Sequence, residues 1–413
     1  MKHVAIVGGG IAGTAAAWSA AKAGAKVTLI HAGLGASHFT SGALDLIPWE
    51  SSVRAARLLK TSVPLAALDA REFEFANALQ LWSLPPNADT CPMLATIAGR
   101  IRPARGFDRA LLDLSTLQRG TVLVPRCDRP NWDADALAAY FSDDPVAKAR
   151  DLQFVATDAT ILRNTWDAGL SDTDLAGLHD DDGRLDWLAT QLRTACDRAS
   201  TQRTVAVLLG PWLGARQPRA ARLSERVGIP VGEALCGNGS PAGRRLEIAM
   251  NRVVSDLRVS VLRERASVIA VDESGVRVTL ESEAIVEADA LVIAAGGMIP
   301  GSVELVAPID MTPRPQAKVG FALSFRFDGA LSQNGTTPLE NVSSCFGSEL
   351  DAAWPERDRL GMLEAIGIHA TDVHVSDRIK VAGDILSCRP RVILAAVRTG
   401  LQAGAHAAAV TPG

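Results

Sequence analysis

The chain has 413 residues, 47% of them hydrophobic, with 42 lysines and arginines against 46 aspartates and glutamates. A net charge of −4 provides no overall attraction to nucleic acid or to an anionic membrane surface, which sets those function classes aside. The length exceeds that at which one hydrophobic core keeps growing, so two domains interleaved in sequence are expected.

From the N-terminus, HVAIVGGGIAGTAAAWSAAKAGAKVTLIHA reads as a complete β-turn-α-β unit. Val4 to Val7 suit a buried parallel strand, and Gly8, Gly10 and Gly13 complete G-x-G-x-x-G. The alanine-rich segment from Ile11 to Ala23 reads as a helix, and Lys26 to Ile30 as a second strand. In such a unit Gly8 permits the tight turn, Gly10 lets backbone approach a pyrophosphate, and Gly13 lets helix and strand pack closely. The acidic residue that ordinarily ends the second strand and binds ribose hydroxyls is replaced by His31, whose neutral ring can accept one hydrogen bond. His31 as an ordinary strand-end residue is the other reading. No basic leader precedes the first strand and no run of about 18 apolar residues occurs, so a cytoplasmic location is expected, with contact to the inner membrane only through a partner.

Next comes GASHFTSGALDL, in which Ser37 to Gly42 form a small-residue loop able to cradle a cofactor, with Ser41 and Gly42 among its contacts and His38 near the reacting ring. Plain loop packing is the alternative. Asp45 sits among apolar neighbours, where desolvation would make it a proton acceptor, although an Asp before Pro48 also suits a turn. GRIRPARGFDR gathers Arg100, Arg102, Arg105 and Arg109, whose guanidinium groups suit phosphate or carboxylate, or simply a solvated surface. GTVLVPRCDRPNWDADALAAYFS reads as strand, loop and helix, SDTDLAGLHDDDG as an acidic loop without calcium-ligand spacing, and TVAVLLGPWLG as another apolar strand. Arg245 opens a helix after GNGSPAG, facing an anion or pairing with Glu247 or Asp256. A hairpin turning at Ser274-Gly275 precedes the buried strand ADALVIAAGG, which ends at Gly296 and Gly297. A further strand leads to Gly383-Asp384 and the last helix, where Arg398, Gln402 and His406 share one face toward a partner or solvent. Six cysteines (Cys91, Cys127, Cys196, Cys236, Cys345, Cys388) lack any C-x-x-C pair, so neither a metal site nor a disulfide framework is expected.

An initial glycine turn, a late small-residue strand and a Gly-Asp before the final helix resemble the two-dinucleotide-binding-domain flavoproteins. That resemblance implies a flavin, FAD or FMN, with Asp384 on its ribityl chain or pyrophosphate; the other reading of Asp384 is a helix cap. It implies an α/β class: a discontinuous Rossmann-like FAD/NAD(P)-binding domain (residues 1–75, 225–305 and 370–413) carrying an inserted α+β cap (76–224 and 306–369). A narrower resemblance is to the B-subunit family of anaerobic glycerol-3-phosphate dehydrogenase. It is carried by His38-Phe39-Thr40-Ser41-Gly42 with Leu44-Asp45-Leu46, by Thr96, Gly99 and Arg102, and by Ser240, Gly243, Arg245 and Leu246. It implies oxidation of sn-glycerol 3-phosphate to dihydroxyacetone phosphate, with His38, Arg102 and Arg245 toward a small anionic substrate and electrons passed to an iron-sulfur, quinone-linked partner. A catalytic flavoprotein subunit is the second implied partner. Ser37-His38 also resembles the Ser-His-Thr segment that bonds covalently to flavin in the fumarate reductase and succinate dehydrogenase flavoproteins. The alternatives are a stand-alone dehydrogenase of another small anion and a non-catalytic assembly subunit.

Overall fold

The computed structural model describes residues 1–47, 67–86, 91–199, 203–237, 240–272, 274–297, 303–306, 324–327, 330–333, 372–386 and 389–410, with residues 368 and 370. Pro48, Cys345, Cys388 and most of 307–369 lie outside them. The chain divides into two compact units, residues 1–37 with 250–413, and residues 38–249. These divisions fall at Ser37/His38 and Ala249/Met250, so residues 38–75 and 225–249, expected in the dinucleotide-binding domain, belong to the second unit.

In the first unit, strand β1 (His3–Val7) is central in a five-stranded sheet. It pairs in parallel with β2 (Lys26–Ile30) on one side and with Ala290–Ile293 on the other. Ser260–Leu262 and Ile379–Val381 complete the edges, also in parallel. Uniformly apolar strands follow from burial on both faces: Val4, Ala5, Ile6, Leu291, Val292 and Ile293 are all fully buried. Helix α1 (Ile11–Lys22) is buried on every side from Ile11 to Ala20, which explains its alanine-rich, non-amphipathic sequence. The last helix, Ile393–Ala409, packs on it. A Cβ at Gly400 or Gly404 would lie 2.3 or 2.2 Å from the carbonyl oxygens of Ala12 and Ala16, so the crossing is backbone to backbone. The hydroxyl of Ser19 donates to the Leu401 carbonyl at 2.8 Å across it. The stripe Arg398, Gln402 and His406 is only half-buried, and the His406 ring stacks on His374 with centroids 4.7 Å apart. The expected hairpin is present as Ala266–Val271 against Val276–Leu280, its turn fixed by Asp272, which accepts from the backbone of Ser274 and Gly275.

The principal sheet of the second unit is not mixed but wholly parallel, beside two small antiparallel sheets. The strands run Val231–Glu233, Thr204–Leu209, Gly120–Arg126 and Leu152–Asp158 in spatial order, which is a doubly wound arrangement. The SDTDLAGLHDDDG stretch is likewise not a loop. Ser171 caps helix Asp172–Leu178 and Asp181 caps helix Asp182–Arg198, each accepting the N–H three residues on. Acids that read as a solvated loop are thus helix starts. Where the two central strands end, the crevice is filled by Trp132 and Trp212, in edge contact at 5.3 Å. Their indole N–H groups donate to the Pro125 carbonyl and to Asp172, and Arg129 pairs with the same Asp172.

Candidate cofactor cleft and the motif node

A cleft of about 260 Å³ opens at the carboxyl ends of the first unit's strands. Open parallel sheets hold their ligands at that edge. Its lining brings together Gly8–Ala12, His31–Ser37, Glu264–Ala266, Ala294–Gly296, Gly383 and Asp384. Gly8 stands at φ +120°, and a Cβ there would lie 2.0 Å from the Ala294 carbonyl oxygen. A Cβ on Gly13 would meet the Gly8 carbonyl oxygen at 1.8 Å, so strand turn and helix touch directly. At Gly10 the nearest atom to a Cβ is the Ser37 hydroxyl at 3.4 Å, so space is kept open beside this backbone.

Helix α1 begins at Gly10, which offers no side-chain cap. The Ser37 hydroxyl accepts the Ile11 N–H at 2.9 Å, leaving the next amides of the first turn and the positive end of the helix facing the cleft. This suits a phosphate diester. Nδ1 of His31 lies 3.2 Å from the Gly33 carbonyl. A carbonyl only accepts, so Nδ1 is the donor in this contact. On the far side of the cleft the Thr399 hydroxyl accepts the Gly383 N–H at 3.0 Å, fixing the turn that presents Asp384. Burial pushes the Asp384 carboxyl up, with Arg391 opposing. The glycine turn, a helix N-terminus and a distant Gly-Asp therefore line one cavity.

The first unit has the fold of a dinucleotide-binding domain.

Within this fold Gly8, Gly10, His31, Ser37, Gly296, Gly383 and Asp384 all line the cleft. Gly13 acts behind it, through packing. Ser41 and Gly42 are not among the lining residues and belong to the second unit.

In that second unit, two of the three motif segments, those around Gly42 and Gly243, converge on one buried node. Ser240 donates to the Thr40 carbonyl at 3.1 Å, and a Cβ on Gly243 would lie 1.7 Å from the His38 carbonyl oxygen. Gly42 packs against Asp108, Leu111 and Ala242, and its carbonyl accepts the Asp108 N–H at 2.8 Å. Arg245 is 1% exposed. Its Nε donates to Asp108 and its Nη2 to Glu233, both at 2.8 Å, and its Nη1 to the Gly214 carbonyl at 2.5 Å. This corrects the expectation that Arg245 faces an anion or pairs with Glu247 or Asp256: its donors are consumed by internal acceptors. Arg102 is placed similarly, with both terminal nitrogens on Asp45 Oδ2 at 3.0 and 2.6 Å. Asp45 is accordingly an ion-pair partner and not an isolated carboxyl. His38 is half-buried, with Nδ1 3.6 Å from Glu247 Oε2. Asp108 and Glu233 carry no motif, and their only sequence signal is that lone acids in apolar runs need a buried cation.

Residues 3–54 match the family described as glucose inhibited division protein A. A segment of 44 residues is 54% identical to the B-subunit of anaerobic glycerol-3-phosphate dehydrogenase from Vibrio cholerae serotype O1. That segment is 11% of this chain and spans a tenth of the length of the curated relatives it matches. Among solved structures, the tetrameric form of 2-methyl-3-hydroxypyridine-5-carboxylic acid oxygenase is 14% identical, covering 72% of this chain and 40% of its own, with a TM-score of 0.22. CtdE in complex with FAD and substrate 4 is 11% identical, covering 72% and 38%, with a TM-score of 0.24. Among the described residues, no helix is long and apolar enough to cross a membrane and no group of three or more potential ligands could hold a metal ion. Cys91, Cys127, Cys196 and Cys236 are unpaired thiols, and burial pushes those of Cys127 and Cys236 up to about 12.

Proposed function

We propose that the chain is an FAD-dependent dehydrogenase of the kind represented by the B-subunit of anaerobic glycerol-3-phosphate dehydrogenase, acting with a catalytic flavoprotein and an iron-sulfur protein. The observation that carries this is the shared cleft: the Gly8–Gly10 turn and the α1 N-terminus line the same cavity as Gly383-Asp384. A nicotinamide cofactor needs the first pair; the added Gly-Asp fits a flavin with its ribityl chain. The 44-residue match to that B-subunit supports the narrower assignment.

In this reading the amides at the start of α1 hold the pyrophosphate and Asp384 accepts from the ribityl chain. When bound, FAD supplies the hydride acceptor. His38, carried by the resemblance to that B-subunit, is the candidate base for the substrate's secondary hydroxyl. The substrate is a small anion such as sn-glycerol 3-phosphate.

The internal pairing of Arg102 and Arg245 favours a second reading, a non-catalytic subunit that keeps the fold. The deciding experiment is the visible spectrum of the purified chain, followed by acid precipitation. Yellow released into the supernatant and chromatographing as FAD supports the dehydrogenase. Yellow held in the pellet means covalent attachment and points to His38. A colourless protein that stays so with added FAD rejects the proposal and leaves the assembly reading.

A further inference from the structure

Strand Ser260–Leu262 lies beside β2 with Leu262 opposite Ile30, and the His31 N–H donates to the Leu262 carbonyl at 3.0 Å. The residues leaving these two strands therefore emerge side by side. Two positions beyond Leu262 is Glu264, which lines the same cleft as His31. Its Oε2 accepts the Ser282 hydroxyl at 2.9 Å, a contact that leaves Oε1 to a ligand. The adjacent Arg265 also lines the cleft and has its Nε 3.7 Å from Glu281.

A ribose presents two vicinal hydroxyl donors, and a neutral imidazole with its proton on Nδ1 offers one acceptor. A second hydroxyl buried without a partner would cost binding energy. We infer that Glu264 and His31 together receive the ribose diol of the adenosine half of the cofactor, Glu264 supplying the carboxylate that the end of β2 lacks. The inference rests on the cleft taking FAD. Glu264 lies outside the glycine fingerprint, just past the end of a different strand from the one that ordinarily carries the acid.

The test is equilibrium binding to the flavin-free protein, followed by quenching of flavin fluorescence. The ligands are FAD and its 2′-deoxyadenosine and 3′-deoxyadenosine analogues, and the proteins are wild type, Glu264→Ala and Ser282→Ala. A charged hydrogen bond to one hydroxyl predicts that wild type prefers FAD over one analogue by about ten- to a hundredfold. Glu264→Ala should weaken FAD by that factor and bind FAD and the analogue alike, while Ser282→Ala keeps the preference. Equal weakening of all three ligands by Glu264→Ala overturns the inference, as does loss of the preference in Ser282→Ala, which would make Glu264 a hairpin anchor. A wild type that binds NAD but not FAD, with a hydroxyl preference that Glu264→Ala removes, would sink the cofactor reading and keep Glu264. A wild type that binds neither overturns both.

Discussion

The hydroxyl of Ser37 accepts the Ile11 N–H at 2.9 Å, a cap supplied to α1 by a side chain 26 positions away because Gly10 has none. Ser37→Ala should cost about 1 kcal/mol, as other lost helix caps do. Urea denaturation of the flavin-free protein measures it; an unchanged midpoint would show that the contact contributes nothing.

Gly8 and Gly10 share a motif but not a role. Gly8→Ala forces a side chain into φ +120° and onto the Ala294 carbonyl, so the variant should lose stability and bound flavin together. Gly10→Ala meets no protein atom closer than 3.4 Å, so it should keep the wild-type melting temperature yet be purified without flavin. Flavin absorbance per protein, set beside thermal melts of both variants, separates the two.

Removing one partner of the buried triad leaves uncompensated charge. Arg245→Met should cost about 3–5 kcal/mol by stranding Asp108 and Glu233, whereas Arg109→Met at the surface should be nearly neutral to stability. Comparable unfolding midpoints for the two would contradict the structural role given to Arg245.

Burial pushes the Glu233 carboxyl up to about 7, against the pull of Arg245. The folded protein then holds a proton that the unfolded chain releases near 4.5, so this contribution is full at low pH and is lost as pH rises from 4.5 to about 7. His179 acts with the opposite sign. Burial lowers it to about 4, so its contribution is lost as pH falls from 6.5 to about 4. The stability of wild type relative to Glu233→Gln isolates the first effect and should fall across its window. A difference independent of pH would refute it.

Gly404→Val should push the last helix off α1, since even a Cβ would lie 2.2 Å from the Ala16 carbonyl oxygen. Overpacking of this kind costs about 1–3 kcal/mol. Since the same helix carries Thr399, which holds Gly383, flavin affinity should fall with stability. Calorimetry and flavin titration of one preparation check both.

The first unit was legible because its signals are local: an apolar run, three spaced glycines and an alanine-rich helix can each be read within about thirty residues. The helix crossing was also present as G-x-x-x-G at Gly400 and Gly404, opposite Ala12 and Ala16, but alanine-rich surroundings hide such spacing. The second unit was less legible. Its crossover helices start with aspartates and serines, which suit caps and loops equally. The role of Arg245 depended on Asp108 and Glu233, distant in sequence by 137 and 12 positions, and burial decided that the guanidinium would face inward. Glu264 had no signal at all, because a strand neighbour is set by pairing and not by spacing.

The node that joins Gly42, Asp108, Gly243 and Arg245 draws on three separated stretches of the chain, and each contact in it fixes the size or charge of the next. A methyl group at Gly243 displaces the backbone of His38, and a neutral residue at Asp108 unbalances Arg245. Such positions cannot drift singly. Among descendants of this gene they should be kept or exchanged as a set, and a lineage that loses one should show the others changing on the same branch.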